Sequence, residues 1–289
     1  MGAETSMIGK TCLVTGANSG IGKEIARGLA AKGARVLMVA RSPERGEAAR
    51  AEVAESTDND SVELLLCDLS SQRQVRGLAD EVLERCGELH VLVNNAGLTL
   101  GERTLTEDGI EATFAINHLA PFLLTELLRE RLVASAPARV VTVASDAHRG
   151  SKIDFEDPSG ERKFSSWGAY GQSKLANILF TSELARRLDG TDVTATCLHP
   201  GVVRTGFGRQ GPAFVRAFLK VAGVFLLTPE RGADTAIWLA ASSEVDGASG
   251  GYYVKRRLAE PSRNARDPES DRRLWRLSER LTGLQPADG

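Results

Sequence analysis

The sequence predicts an α/β fold, a single doubly wound parallel sheet with helices on both faces. Three observations carry that expectation. Short β-branched and aliphatic runs alternate with longer helical patterns along all 289 residues. Several of the runs are apolar almost throughout, as strands covered on both faces must be. The first run leads straight into a glycine-rich turn that opens a helix.

The strand candidates are Thr11–Thr15, Arg35–Ala40, Val62–Cys67, His90–Asn94, Arg139–Ala144 and Asp192–His199, with a shorter one at Tyr252–Val254. Helical spacing falls between them at Ile21–Lys32, Pro43–Glu55, Gln72–Arg85, Gly109–Leu132, Ala169–Leu188 and Glu230–Ala241. Near the C-terminus, Leu274, Leu277 and Leu281 form a stripe and Gly283 offers a cap, so a packing helix is expected at about 268–282. Two segments break the rhythm. Asp146–Ser166 is polar and charged, and long loops of that kind are usually functional or disordered. Thr205–Pro229 carries Phe214, Phe218, Val221 and Phe225 at helical spacing, with Arg216 and Lys220 on another side. No repeat, low-complexity linker or composition break divides residues 1–289, so one domain is expected.

Composition narrows the partners. The chain is 42% hydrophobic and 26% charged with a net charge of −2. No global basic field recruits nucleic acid or anionic membrane. A small molecule or a second copy of the chain is the expected ligand. Cys12, Cys67, Cys86 and Cys197 have neither C-x-x-C spacing nor a histidine pair, which argues against zinc. Reduced cysteines in apolar runs suit a reducing compartment, and a cytoplasmic location is expected. The N-terminus lacks the pattern of a secretory signal, although Gly2 and Ser6 fit the short myristoylation pattern. No stretch approaches the roughly 18 uncharged residues of a membrane span.

The turn "TGANSGIGKE", Thr15 to Glu24, places Gly16, Gly20 and Gly22 where backbone must turn tightly and approach a ligand. N–H groups at the start of the following helix favour a pyrophosphate. The spacing differs from G-x-G-x-x-G, because three residues separate the first two glycines. It also fails as a nucleotide-triphosphate loop, since Ala17 and Glu24 occupy required positions. The plain alternative is a glycine-rich joint between strand and helix. At the end of the second strand, a site for an unphosphorylated ribose would carry Asp or Glu. Here Ala40 is followed by Arg41. A guanidinium holds a 2′-phosphate that a carboxylate would repel, so NADP(H) is expected over NAD(H). Otherwise Arg41 is an ordinary surface arginine.

Further motifs follow in order: "NNAG" at Asn94–Gly97, Ser145 closing a strand, and Y-x-x-x-K at Tyr170–Lys174. With "CDLS" at Cys67–Ser70 and "HPGVVRT" at His199–Thr205, nearly the whole chain resembles the short-chain dehydrogenase/reductase family and its Rossmann-type fold. "SKLANILFT" and the long segment between Ser145 and Tyr170 are most similar to the retinol-dehydrogenase-like branch.

The resemblance implies an oxidoreductase that passes hydride between nicotinamide C4 and a carbonyl carbon. Tyr170 would be the acid/base. Lys174, four residues on, shares its helix face and would lower the phenol's pKa from about 10 while binding the nicotinamide ribose. Ser145 would donate to the substrate oxygen, and Asn117 would help hold a water in the proton relay. Gly16, Asn18, Ser19, Gly20, Ile21 and Gly22 would cradle the cofactor. Asp68 and Leu69 would contact adenine, and Asn94, Ala96 and Gly97 the ribose side. Pro200, Val203 and Thr205 would receive the carboxamide, although Thr205 also fits a loop cap. His118 and His199 read as structural, His148 as part of the variable loop.

A substrate lid is expected at about 205–229, and its apolar part Phe214–Leu227 favours a hydrophobic aldehyde, ketone or alcohol. A core cap, a subunit interface or a membrane contact would look the same in sequence. Many members of the branch carry an N-terminal membrane anchor; here the expectation is an enzyme without one. In the family the long helices near Gly109–Leu132 and Ala169–Leu188 often build interfaces, which makes a homo-dimer or tetramer possible. The alternative from another class is a non-catalytic NADPH-binding sensor or scaffold. Degenerate members of that kind should lose the tyrosine, lysine or serine, and this chain retains all three.

Overall fold

The structure, a computed structural model, describes residues 6–203 and 227–284. Its strands are β1 (Thr11–Thr15), β2 (Arg35–Ala40), β3 (Val62–Leu66), β4 (Val91–Asn94), β5 (Ala138–Val143), β6 (Val193–His199), β7 (Tyr252–Val254) and β8 (Arg257–Ala259). They form one sheet in the order β3-β2-β1-β4-β5-β6-β7-β8. Neighbours are parallel from β3 to β7, and β8 returns antiparallel to β7. β1 and β4 are buried along their whole length, which is why they read as continuous apolar runs rather than alternating ones.

The helices are α1 (Gly20–Ala30), α2 (Pro43–Thr57), α3 (Gln72–Arg85), the short α4 (Ala112–Phe114), α5 (Ala120–Ala134), α6 (Ser166–Arg187), α7 (Pro229–Ala241) and α8 (Pro268–Thr282). α1, α2 and α7 cover one face around Ile25, Leu29, Val53 and Leu239. α3, α5 and α6 cover the other around Leu78, Val82, Leu128 and Leu184. This is the doubly wound arrangement, with strand order running outward on both sides of the β1–β4 pair.

Two expectations are corrected. The helix expected over Gly109–Leu132 is interrupted: after α4 the chain makes a π-helical turn at Ala115–Leu119 before α5 begins. Pro121 supplies the reason. It has no N–H for the carbonyl of Asn117, four residues back, so regular α-helical bonding cannot run through this point. The second correction is β8, which follows a two-residue turn at Lys255 and Arg256 with φ of 51° and 58°. Left-handed residues suit such a hairpin, but Lys and Arg give no turn signature in sequence.

α8 does more than close the chain. Asp267 caps its N-terminus, accepting from Glu269 N and Ser270 N, and Gly283 ends it in a left-handed conformation. Trp275 lies across the seam between α5 and α6, stacked on Phe180 at 5.9 Å and edge-on to Phe122 at 5.0 Å. The Arg187 guanidinium sits 4.2 Å from its ring centre. α8 therefore occupies part of the α5–α6 surface from which self-association was expected. Because Trp275 is almost fully buried, Trp275→Ala should cost about 3–5 kcal/mol of stability. Chemical denaturation measures it, and a loss below about 1 kcal/mol would mean that α8 is not part of the cooperative core.

Candidate active site

The C-terminal ends of β1, β4, β5 and β6 open on one crevice where the strand order changes direction, the usual ligand position in such sheets. β1 delivers the glycine turn. Gly16 and Gly20 have φ of 66° and 57°. A Cβ on Gly22 would collide with Gly16 O and Asn95 Nδ2, so only glycine lets α1 start this close to β1. Asn95 Nδ2 donates to Thr15 O at 2.8 Å, and Thr15 Oγ1 accepts from Asn95 N at 3.0 Å and Ala96 N at 3.1 Å. The turn is thus latched to the end of β4. Ser19, the N-cap of α1, makes no side-chain bond to the first-turn N–H groups, which leaves that cradle suited to a pyrophosphate. Asn18 and Ile21 lie half-buried on either side of it.

On the adenine side, β2 ends in buried Ala40 and exposed Arg41. The Arg41 guanidinium stands 3.9 Å from Asp68 Oδ2, a loose pair at the surface. Asp68 Oδ1 is taken up by Ser70 N and Ser70 Oγ at 3.0 and 2.8 Å. Leu69 is half-buried beside it. Across the crevice, Val203 pairs with Leu227. Its side chain meets Gly232 at the start of α7 together with Ile21, so α1, α7 and the segment after β6 converge there. Pro200 follows β6 directly and is half-buried. Thr205 and the expected lid from there to residue 226 lie outside the described residues.

α6 carries Tyr170 and Lys174 on one face, as their spacing requires. Ser165 caps the helix, accepting from Gly168 N at 3.0 Å. The Tyr170 phenol is hydrogen-bonded to Ser145, which follows β5. Lys174 Nζ donates to Val143 O at 2.8 Å and lies 5.8 Å from the Tyr170 ring centre. Asn117, in the π-helical turn, is fully buried. It accepts from Leu98 N at 2.8 Å and donates to Leu98 O at 2.9 Å and to Ser173 Oγ at 3.0 Å. Gly97 faces both Lys174 Nζ and Asn117 Oδ1. Ser145, Tyr170, Lys174 and Asn117 are therefore gathered at one point from three elements.

The electrostatics differ from the sequence expectation in one respect. Lys174 was expected to lower the phenol's pKa. Burial instead pushes Tyr170 up to about 12, partly offset by the Ser145 hydrogen bond. Burial also pulls Lys174 down to about 8. Desolvation outweighs the Ser145 hydrogen bond, so burial favours the neutral phenol. The Cys12, Cys67 and Cys197 thiols are likewise pushed up by burial to about 12, which leaves no thiolate nucleophile among them.

Asn94 is turned away from the crevice: its amide donates to Thr125 Oγ1 at 3.0 Å, so only its backbone is available on the ribose side. Its neighbour Asn95 does the latching, unanticipated from sequence although it stands in the same motif. Alternation along a strand, which sends successive side chains to opposite faces, was the available signal. Ser173 was also unanticipated; His148 stands in the segment between Ser145 and α6 as expected, but is fully buried there. His118 is buried, with Nε2 on Ser278 Oγ at 2.9 Å, and His199 accepts from Asp146 N at 3.3 Å; both serve packing. Among the described residues no group of three or more His, Cys, Asp or Glu could hold a metal ion, and no helix is long and apolar enough to cross a membrane.

Comparison with known proteins agrees with this geometry. Residues 10–213 match the family described as short chain dehydrogenase. Retinol dehydrogenase 12 of Mus musculus is 43% identical over 278 residues, 96% of this chain and 87% of that protein. The crystal structure of an uncharacterized protein from Mycobacterium Paratuberculosis superposes with a TM-score of 0.80 at 36% identity, covering 97% of this chain and 96% of that one. A short chain dehydrogenase from Burkholderia cenocepacia J2315, crystallised in complex with NADP, gives a TM-score of 0.69 at 28% identity over 85% of this chain and 96% of that one. With this fold, the latched glycine turn and these relatives, the chain belongs to the short chain dehydrogenase family, as an oxidoreductase of retinol-dehydrogenase-like type that uses a nicotinamide cofactor.

Proposed function

We propose that the protein is an NADP(H)-dependent carbonyl reductase or alcohol dehydrogenase for hydrophobic substrates, with Tyr170 as the acid/base. The observation that carries this reading is the Ser145–Tyr170–Lys174 arrangement at the end of β5. The bound nicotinamide supplies or accepts the hydride. In reduction, negative charge grows on the carbonyl oxygen. Ser145 Oγ complements that charge, and Tyr170 Oη delivers a proton to it. Lys174 Nζ, whose pKa burial draws down to about 8, replenishes the phenol.

Three features support the finer points. Arg41, with no acid at the end of β2, suits a 2′-phosphate, and NADP is the cofactor in the Burkholderia relative's complex. Exposed Trp167 lies 5.8 Å from the Tyr170 ring and exposed Val202 precedes Val203, so apolar groups flank the reacting centre. The relative's name points to a retinoid, but a shared fold does not choose a substrate. Four buried free thiols are compatible with a cytoplasmic enzyme.

Turnover is followed as NADPH absorbance with a panel of hydrophobic aldehydes and ketones, retinal among them. Tyr170→Phe should lower kcat by about 10²–10⁴-fold, with NADPH binding retained. NADPH bound without oxidation by wild type across the panel would favour the sensor alternative. Arg41→Ala should weaken NADPH by roughly tenfold to a hundredfold, the range for lost charge-assisted bonds, and leave NADH nearly unchanged in a binding titration. Equal weakening of both would remove Arg41 from the 2′-phosphate site. Lys174 is protonated below its pKa, so kcat/KM for reduction at saturating NADPH should be flat on the acid side of about 8 and fall above it. Lys174→Arg, which keeps its charge, should move that limb to higher pH. A limb unchanged by the substitution would assign it to another group.

A further inference from the structure

The turn that follows Ser145 is held by residues the reaction does not use. His148 is fully buried. Its Nδ1 lies 2.7 Å from Ser145 O, and its Nε2 accepts from Ser262 N at 3.0 Å. A backbone N–H only donates, so Nε2 carries no proton. The imidazole proton therefore sits on Nδ1 and is donated to Ser145 O. Geometry alone sets this tautomer.

Both ends of Ser145 are pinned in consequence. Its carbonyl takes the His148 ring and also His148 N at 3.2 Å, while its Oγ accepts from Ala147 N at 3.2 Å. Around this turn, Tyr252 packs edge-on to the imidazole at 5.2 Å and donates to Asp146 Oδ1 at 3.0 Å. On the α6 side, a Cβ at Gly171 would stand 2.8 Å from Ala147 O, a closeness that brings neighbouring Tyr170 within reach of Ser145. On the C-terminal side, Asn264 Nδ2 donates to Ser151 O at 2.8 Å and Arg149 to Glu260 O at 3.1 Å. The turn is clamped between α6 and residues 260–264.

We propose that His148 is a positioning residue: by joining the Ser145 carbonyl to the Ser262 N–H, it holds the Ser145 hydroxyl on the Tyr170 phenol. This rests on the reading of Ser145 and Tyr170 as catalytic residues. The link makes the C-terminal segment, remote in sequence, part of what sets the site's geometry. Small displacements of a donor from the reacting oxygen are costly in rate, which is why such a support acts on kcat.

Two conservative variants separate positioning from packing. His148→Asn keeps a donor near the Nδ1 position and loses the acceptor for Ser262 N. His148→Gln keeps an acceptor near the Nε2 position and loses the donor to Ser145 O. His148→Asn leaves Ser262 N without its acceptor, whereas in His148→Gln the Ser145 carbonyl still accepts from the residue-148 N–H, so Asn should be destabilised at least as much as Gln in thermal unfolding. Their rates should differ. Asn is expected to stay within about threefold of wild-type kcat and Gln to lose about tenfold or more, with the NADPH dissociation constant unchanged in both. In a Ser145→Ala background the Gln substitution should cost nothing further. A readout independent of turnover is the NMR spectrum of ¹³C-labelled tyrosine, which has three residues to resolve, with Tyr170 assigned through Tyr170→Phe. The Tyr170 signal should move in Gln and stay in Asn. Equal rate losses, an undiminished loss without Ser145, or an unmoved Tyr170 signal would each overturn the proposal. If wild type proves inactive on every carbonyl tested, the catalytic reading fails by itself, and the Tyr170 signal decides whether His148 governs the Ser145–Tyr170 contact.

Discussion

The bond from Lys174 Nζ to Val143 O is the contact on which the site depends. It docks α6 against the last residue of β5, and Asn177 Nδ2 adds a second, longer donor at 3.3 Å to the same carbonyl. A buried ammonium is costly unless its donors are met, and a packing role alone would be served better by an apolar side chain. Its position explains the expense. With α6 seated there, Tyr170 falls beside Ser145, the second residue beyond β5, and Lys174 faces Gly97 beyond β4. The segments just beyond β4 and β5 and one helix thereby share a candidate reaction centre.

Burial acts on both titratable members at once. It raises the phenol and lowers the ammonium, so each is drawn towards its neutral form. Environments that push two groups' pKa values out of their ordinary ranges mark acid–base pairs. The lysine's pKa is drawn down to about 8, closer to neutrality than its ordinary value. The neutral form that burial favours for the tyrosine suits the donor role proposed for it.

Much of this was legible in the sequence, for identifiable reasons. The strands were found because burial on both faces writes continuous aliphatic runs, as in β1 and β4, and their ends moved by a residue at most. Tyr170, Lys174 and Ser145 were readable because they stand at fixed spacings or strand ends. Features made by contact between distant segments were not. Asn95 latches the glycine turn across about 80 residues, yet Asn94 beside it looks equivalent until the strand's two faces are distinguished. The break at Asn117 was written in Pro121, but helical periodicity across Gly109–Leu132 concealed it. His148 carries no local signal, because its partner Ser262 is 114 residues away. The pKa expectation for Tyr170 failed for a related reason: spacing reveals the nearby charge and says nothing of the desolvation opposing it.

The division of labour in the molecule follows from these differences. Groups on strand ends and on α1 and α6 are fixed by sheet register and buried hydrogen bonds, and in the proposed reaction their chemistry would be common to many carbonyl substrates. The outer walls come from elsewhere: the segment between Ser145 and α6, the C-terminal residues around Ser262, and the first turn of α6 with Trp167. The first of these segments is itself ordered, because the Asp157 carboxylate accepts from Glu161 N at 2.7 Å and Arg162 N at 2.9 Å. Such connections tolerate change that strand ends do not. A substitution in those walls can alter which carbonyl is admitted and leave proton transfer intact, unless it breaks one of the few bonds, such as those of His148, by which a wall also supports the reacting groups.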